Sequence, residues 1–232
     1  MRHDRSPLGL QSGSPPGLTS GSTLDQLLEN PRVWRGRDVV RSPNGLPSGY
    51  EALDRRLPGG GWPRRALTEI LVEQYGIGEL QLLMPALAQL STEDSMAGSA
   101  EPGWIAWVAP PLQPYPPALQ QGGVDLSRVL IVRPKNDAEI LWSAEQALAS
   151  GTCAAVLLWP AVLDDQAGRR LQLAAEKGAS WAIAFRPSTA RSELSAAALR
   201  IELEADRQGT ALHILRSRGG KPGVIKPFFA GG

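Results

Sequence analysis

Short apolar runs alternate with amphipathic stretches along most of the 232-residue chain. An apolar run bounded by turn-forming residues is typical of a strand covered on both faces, whereas apolar residues every three or four positions indicate a helix. The strands predicted in this way are 66–72, 104–109, 129–132, 153–159, 180–185, 199–204 and 210–216. The predicted helices are 79–90, a short helix in the proline-rich connection before residue 129, 137–149 and 164–177. This alternation predicts an α/β fold with a mostly parallel central sheet, helices on both faces and an antiparallel edge hairpin formed by the last two strands.

The chain before residue 44 has the composition of a tail and a docking element rather than that of a core. Residues 1–22 are rich in Ser, Gly and Pro and contain few apolar residues, so we predict a disordered tail. Residues 23–43 predict a short helix followed by a basic segment. Its hydrophobic face either docks on the globular domain or binds a partner protein, and the sequence leaves both interpretations open. The side chains of this face are Leu24, Leu27, Leu28 and Trp34.

The centre of the fold is predicted where the buried strand 66–72 passes through a tight glycine loop into the helix 79–90. A strand, a glycine loop and a helix form the phosphate site of many nucleotide-binding folds, because backbone N–H groups and the helix N-terminus converge there. In the motif G-x-x-x-x-G-K-[ST], the lysine reaches the phosphates and the Ser or Thr holds Mg²⁺. This chain instead has a glycine, an apolar residue, a second glycine and a carboxylate, namely Gly76, Ile77, Gly78 and Glu79. The sequence therefore predicts the frame of a nucleotide site without its phosphate-binding chemistry.

A glycine-rich basic loop is predicted near the C-terminal boundary of the domain, which we place at 44–225, with a C-terminal tail at 226–232. Basic loops contact phosphate backbones without sequence preference, so the loop either binds DNA or a partner protein or is an ordinary solvated segment. Phe228 and Phe229 in the tail either anchor a partner or pack on the sheet. The cations of the loop are Arg216, Arg218, Lys221 and Lys226.

Composition restricts the classes of function. A formal net charge of +1 provides no overall field that attracts nucleic acid. The one cysteine, Cys153, lies in an apolar run, where we predict a buried thiol in a reducing, cytoplasmic setting. No apolar run reaches the roughly 18–20 residues of a membrane span, and the first 22 residues lack a secretory signal. The two histidines, His3 and His213, have no partners at metal-ligand spacing, so we predict no catalytic residue, metal site or cofactor.

Two runs of the chain are similar to the RecA core. LPSGYEALDRRLPGGGWPRRALTEILVEQYGIGELQLL contains a Gly–Leu-Asp segment and a G-G-[LW]-P turn like those that precede the P-loop strand of RecA. PYPPALQQGGVDLSRVLIVRPKNDAEILWSAEQALASGTCAAVLLWPA keeps a GVD, a P-x-[ND]-x-E stretch, a QAL helix and a buried strand in RecA-like order. The resemblance covers about residues 44–225 and implies a RecA-like core. The PRVWRGRD segment before the core makes the chain resemble the ImuA family more closely, whose members are sometimes labelled SulA-like.

The resemblance to ImuA implies a non-catalytic adaptor in SOS-induced translesion DNA synthesis and mutagenesis. Its implied partners are ImuB, an error-prone C-family DNA polymerase, RecA and single-stranded DNA. Two alternatives stay open: a residual nucleotide-dependent DNA-binding ATPase, and a SulA-like inhibitor of cell division that acts on FtsZ.

The chain departs from the RecA pattern at the residues that would hydrolyse ATP. The strands that in RecA lead to a metal-organising aspartate and a catalytic glutamate end here in LWP at 158–160 and VAPP at 108–111. Because phosphoryl transfer depends on positioned charges, we predict no ATPase activity. Tyr115 resembles the aromatic residue of RecA that stacks on adenine, although a core or loop tyrosine is the alternative. The segment 186–191 stands where RecA has a longer DNA-binding loop, so DNA binding there is not predicted.

Overall fold

A computed structural model of the chain describes residues 45–92, 103–206 and 209–230. The predicted disordered tail, the segment 23–43 and its side chains Leu24, Leu27, Leu28 and Trp34 lie outside the described residues.

One large mixed sheet organises the described part of the chain. Its strands follow the order β10-β9-β8-β3-β7-β6-β4-β5, and a separate antiparallel pair joins β1 to β2. β3 pairs in parallel with both β7 and β8, so the strand that leads into the glycine loop lies inside the sheet. The strands are β1 (Gly45–Leu46), β2 (Trp62–Pro63), β3 (Leu67–Val72), β4 (Trp104–Val108), β5 (Val129–Val132), β6 (Cys153–Leu158), β7 (Trp181–Pro187), β8 (Leu199–Asp206), β9 (Gly209–Ser217) and β10 (Gly223–Ala230).

The helices connect the parallel strands and begin where the sequence predicts a cap. Asn136 accepts a hydrogen bond from the backbone N of Glu139 at 3.0 Å, and Asp164 accepts one from Ala167 at 2.7 Å. The helices are α1 (Glu51–Asp54), α2 (Glu79–Thr92), α3 (Pro116–Gln121), α4 (Asp137–Ala149) and α5 (Asp165–Lys177). Short 3₁₀ turns lie at Leu126–Arg128 and Ser188–Ser192.

Two hydrophobic cores cover the two faces of the sheet. Along β4 the buried side chains alternate between them: Ile105 and Trp107 belong to one core, and Ala106 and Val108 to the other. The first core takes its helical residues mainly from α2, and the second takes them from α4 and α5. A parallel strand covered on both faces is buried along its whole length, and this explains the unbroken apolar run of β6. β3 is buried to the same extent although it carries Thr68 and Glu69. The predicted α/β fold with helices on both faces is confirmed.

The C-terminal region differs from its prediction. The last two predicted strands form an antiparallel pair, but β8 also pairs in parallel with β3, and a third strand, β10, forms the edge of the sheet. The predicted tail at 226–232 is therefore wrong over residues 226–230, which belong to β10. Gly and Pro in this stretch hide its alternating pattern, and pairing with β9 supplies the backbone hydrogen bonds that a tail would lack.

A position in an apolar strand run does not by itself decide whether a tryptophan is buried. Trp107, Trp159 and Trp181 are buried, whereas Trp104 is 39% exposed. Trp104 is the first residue of β4, where the sheet no longer covers it, and the guanidinium of Arg128 lies 5.7 Å from its ring centroid.

Candidate functional site: a phosphate loop filled by its own helix

The glycine loop between β3 and α2 has the position of a phosphate site, and a carboxylate of the chain occupies it. Glu79 is the first residue of α2, and its side chain turns back into the loop. Both carboxylate oxygens accept hydrogen bonds from the backbone N of Gly76 at 3.0 Å, and Oε2 accepts one from Ile77 at 3.0 Å. Glu79 is buried, at 5% exposure. These N–H groups and the helix N-terminus are the features that bind phosphate in a P-loop, so the carboxylate stands where an anionic ligand would bind.

The C-terminal strands close the loop from the side. Ile77 packs against the first core, and Thr210 of β9 donates a hydrogen bond to its carbonyl oxygen at 3.3 Å. Gly78 has φ +107, and a Cβ built on it would lie 2.9 Å from Cε2 of Phe229 in β10. The two positions that carry Lys and Ser/Thr in a functional P-loop therefore face packed protein.

Phe228 and Phe229, which the sequence left open as partner anchors or packed residues, pack on the fold. Tyr50 lies with its ring centroid 4.9 Å from that of Phe228 and 5.7 Å from that of Phe229. The hydroxyl of Tyr50 donates to the backbone oxygen of Gln81 in α2 at 3.1 Å. This aromatic cluster ties β10 to the helix that carries Glu79.

The carboxyl ends of β4 and β6 are apolar, as the sequence indicates. The Trp159 ring lies between those of Trp107 and Phe185, with centroid separations of 5.6 Å and 4.6 Å. Apolar rings therefore pack at the ends of these strands, where the sequence has no acidic side chains. The described residues contain no group of three or more His, Cys, Asp or Glu side chains that could hold a metal ion.

A cleft of about 200 Å³ lies beside the filled loop and is mostly apolar. Tyr75 and Tyr115 line it together with Trp107 and Trp159. Tyr115 is 69% exposed, so it is a loop tyrosine and not a core one. Burial, and then the negative charge of Glu79, raise the pKa of the Tyr75 hydroxyl above its ordinary value, so both groups share the rim of this cleft.

We expect Glu79→Ala to destabilise the fold, because the substitution leaves partly buried N–H groups without an acceptor at a helix N-terminus. Hydrogen bonds to a charged group contribute about 1.5–3 kcal/mol, so the loss is about 2–3 kcal/mol in the free energy of unfolding. For a protein of this size that lowers Tm by about 4–12 °C in a thermal melt.

Glu73→Ala is the matched control, since Glu73 is an exposed carboxylate at the start of the same loop. It should change the stability by less than about 0.5 kcal/mol. Glu79→Gln keeps one acceptor oxygen and should fall between the two. Equal melting temperatures for the Glu79→Ala and Glu73→Ala proteins would show that the carboxylate does not hold the loop.

The predicted basic loop is only partly available for binding. The guanidinium of Arg216 donates to the backbone oxygen of Ser195 at 2.5 Å. Arg218 lies 3.9 Å from the carboxylate of Glu176, and both side chains are largely exposed. Lys221 lies in the turn between β9 and β10 and is exposed, whereas Lys226 belongs to β10. The structure thus spreads the four cations over a strand end, a turn and an edge strand, rather than gathering them on one mobile loop.

A buried ion cluster that the sequence did not indicate holds the segment after β7. Glu69, in the middle of β3, is 1% exposed. Its carboxylate accepts hydrogen bonds from Nε of Arg200 at 2.8 Å and from Oγ of Ser195 at 2.6 Å, and Nη1 of Arg186 lies 3.7 Å away. Arg200 also donates to the backbone oxygen of Ala190 at 2.8 Å. The cluster fixes the segment 186–198 against the sheet.

Two further titratable side chains that the sequence singled out are Cys153 and His213. Burial raises the pKa of the Cys153 thiol, which disfavours the reactive thiolate. His213 is half-buried on β9, and its Nε2 lies 2.9 Å from the carboxylate of Glu204. Within residues 45–92, 103–206 and 209–230, none of the helices has the length and apolar character needed to cross a membrane.

Comparison with known proteins places this site in a family. The family model described as "Cell division inhibitor SulA" matches residues 66–182, about half of the chain, from the start of β3 into β7. The chain belongs to the SulA family. The match confirms the broader part of the resemblance stated above, while the narrower ImuA and RecA-like interpretations stay predictions.

Individual relatives agree with this assignment. A protein named cell division inhibitor SulA from Yersinia enterocolitica is 28% identical over 121 residues, which cover 52% of this chain and 67% of that protein. A protein of the same name from Yersinia pestis is 31% identical over 107 residues, covering 46% of this chain and 59% of that protein. The chain thus spans about two thirds or less of these relatives. A solved structure of SulA from Pseudomonas aeruginosa is 27% identical in sequence and has a TM-score of 0.42. The match covers 52% of this chain and 97% of that one.

Proposed function

We propose that this chain is a non-catalytic regulator of the SulA type that acts by binding another protein during the response to DNA damage. The observation that carries the proposal is the Glu79 carboxylate held by the backbone N–H groups of Gly76 and Ile77. An ATP phosphate would have to displace a buried carboxylate, which is also negatively charged, from these donors. The loop lacks the lysine and the Ser or Thr that hold the phosphates and Mg²⁺ in a P-loop. The fold then serves to present surfaces, with no ATP hydrolysis.

We propose FtsZ as the partner, so that the chain inhibits cell division. The support comes from the relatives named cell division inhibitor and from the family match. That match includes the filled loop, the apolar strand ends and helices α4 and α5. The comparisons therefore support the division-inhibitor alternative more directly than the translesion adaptor.

The translesion adaptor that binds ImuB, an error-prone C-family polymerase and RecA is the second candidate. It is favoured by the part of the chain outside the family match. β8, β9 and β10 lie beyond residue 182, and they add three strands beside β3 and close the phosphate loop. β9, β10 and the turn between them also carry the cations that would contact single-stranded DNA. Residues 1–65 and 183–232, together about half of the chain, lie outside the family match, and the family name gives them no role.

Affinity capture with the full chain as bait separates the two candidates. The prey are purified FtsZ, ImuB and RecA, each tested with and without a single-stranded oligonucleotide. A second assay measures the sedimentation of FtsZ polymers formed in GTP, with increasing amounts of the chain added. We expect FtsZ to be retained and the amount of sedimented polymer to fall in proportion to the added chain. Retention of ImuB or RecA with FtsZ polymers unaffected would replace the division inhibitor by the adaptor. Magnesium-dependent ATP hydrolysis above a blank would overturn the non-catalytic proposal itself.

The capture experiments with the oligonucleotide have their own control. If the oligonucleotide binds through the cations at the end of β9 and in the turn that follows it, replacing Arg216, Arg218 and Lys221 with Ala should weaken retention and flatten its dependence on salt, because each phosphate contact releases counterions. Unchanged binding would identify the segment as an ordinary solvated one.

A further inference from the structure

Strand β5 forms one edge of the large sheet, and among the described residues it pairs only with β4. Successive residues of a strand direct their peptide groups to opposite sides. The carbonyl oxygen of Val132 accepts a hydrogen bond from the backbone N of Ala109 at 2.9 Å, so Val132 faces β4. Its neighbour Ile131 then directs its N–H and C=O outward, away from the sheet. An extended chain laid along this edge would find a row of open donors and acceptors.

The side chains on this edge are apolar although they are exposed. Leu130 is 47% exposed and Ile131 is 38% exposed, and Leu126 in the preceding 3₁₀ turn is 36% exposed. Strands that end a sheet usually carry charges or proline that discourage pairing with other chains. The Val129–Val132 run contains neither.

The opposite edge of the sheet, formed by β10, has features that discourage pairing with a further strand. β10 carries Lys226 and Pro227, and its pairing with β9 shifts register between Ile225 and Phe229. A proline without an N–H and an irregular ladder both discourage a further strand from adding there. One edge of the sheet is therefore protected and the other is open.

Basic residues stand at both ends of the open edge. Arg128 immediately precedes β5, and Arg133 and Lys135 follow it with exposed side chains. Arg128 already interacts within the fold: its guanidinium lies 5.7 Å from the centroid of the Trp104 ring, and the hydrogen bonds from Ser127, and then the charge of Arg128, lower the pKa of Asp125. The carboxylate of Glu139 accepts a hydrogen bond from the backbone N of Lys135 at 2.8 Å. Two copies of β5 paired antiparallel about the strand centre would set Arg128 of one copy opposite Arg133 of the other. Like charges directly opposite are destabilising, so a second copy is a poor occupant.

We propose that the open edge of β5 binds an extended segment of a partner protein, which adds to the sheet as a ninth strand. The segment carries apolar side chains that cover Leu130 and Ile131 and acidic residues that face the exposed cations Arg133 and Lys135. Main-chain hydrogen bonds supply the affinity and the flanking charges supply the specificity, as in other cases of strand addition. This inference rests on the proposed function only in that the chain acts through protein contacts, and it does not depend on which partner is correct.

A synthetic peptide tests the proposal with the full chain. The probe is fluorescein-labelled Glu-Asp-Val-Thr-Ile-Thr-Val-Asp-Glu, and its binding is followed by fluorescence anisotropy. The matched peptides are one with the four acidic residues replaced by lysine and one with N-methylated backbone nitrogens on the paired side. We expect saturable binding of the acidic probe alone. Arg133→Glu with Lys135→Glu should weaken it at least tenfold, whereas Lys177→Glu on α5, a single charge reversal away from the edge, should leave it unchanged.

Ile131→Pro removes the outward N–H without touching a bond to β4 and should abolish binding of the probe. Its thermal melt shows whether it folds; if it does not, the charge-reversal pair decides the result alone. No binding of the acidic probe, or equal binding of all three peptides, would overturn the proposal. A concentration-dependent dimer in sedimentation that Ile131→Pro disrupts would overturn it in favour of a second copy. A failed FtsZ capture with intact probe binding would count against the proposed partner and not against this edge.

Discussion

Arg200→Ala should destabilise the chain by about 3–5 kcal/mol, because it leaves the carboxylate of Glu69 buried without its closest cation. Nε of Arg200 lies 2.8 Å from Glu69, and the two side chains are only 8% and 2% exposed. The substitution also removes the donors that hold the backbone of residues 190–193. For a domain of this size the loss lowers Tm by about 6–20 °C, which differential scanning calorimetry would resolve.

Two variants test whether the loss of stability comes from the buried charge of Glu69 or follows the removal of any arginine side chain. Arg170→Ala breaks a pair with Glu145 that is 3.6 Å long and largely exposed, so it should cost less than about 1 kcal/mol. Arg200→Met combined with Glu69→Gln removes the unpartnered charge and should be more stable than Arg200→Ala alone. A double variant no more stable than the single one would show that the charge of Glu69 is not the source of the loss.

Restoring the two missing P-loop residues, Ile77→Lys with Gly78→Thr, should yield a less stable protein that still binds no ATP. Gly78 adopts φ +107, a conformation that costs a residue with a side chain roughly 1–2 kcal/mol, and the new Cβ would meet Phe229 at 2.9 Å. Lysine at position 77 would replace a side chain that packs on the core. We expect a total loss of about 2–4 kcal/mol. The Glu79 carboxylate would still hold the N–H groups that a phosphate needs.

Isothermal titration with Mg²⁺ and ATP at millimolar concentration, together with a thermal melt, measures both parts of this prediction. Ile77→Leu is the control for a change of shape without charge and should melt close to the unaltered chain. Saturable binding of Mg²⁺–ATP to the double variant would mean that the loop lacks only two side chains and that the carboxylate does not block it.

The sequence by itself determined the order of the elements, because local periodicity carries that information. β5 (Val129–Val132) and α4 (Asp137–Ala149) have the predicted bounds, and Asn136 caps α4 as expected. The replacement of the P-loop lysine by Ile77 and the apolar ends of β4 and β6 were also visible, since a missing charge can be seen without coordinates. The carboxylate at position 79 was visible as well, although not the N–H groups that it would bind.

Only the tertiary structure decided which distant residues meet. Glu69 looks like an exposed interruption of β3 until Arg200, 131 positions later, is brought against it by the pairing of β3 with β8. Phe229 looks like part of a tail until β10 pairs with β9 and sets its ring against Gly78. Strand pairing joins residues that are far apart in the chain, and local periodicity does not record such partners. The open edge of β5 is also a feature that only the strand pairing reveals, because the sequence does not show which strands lie at the edge of a sheet.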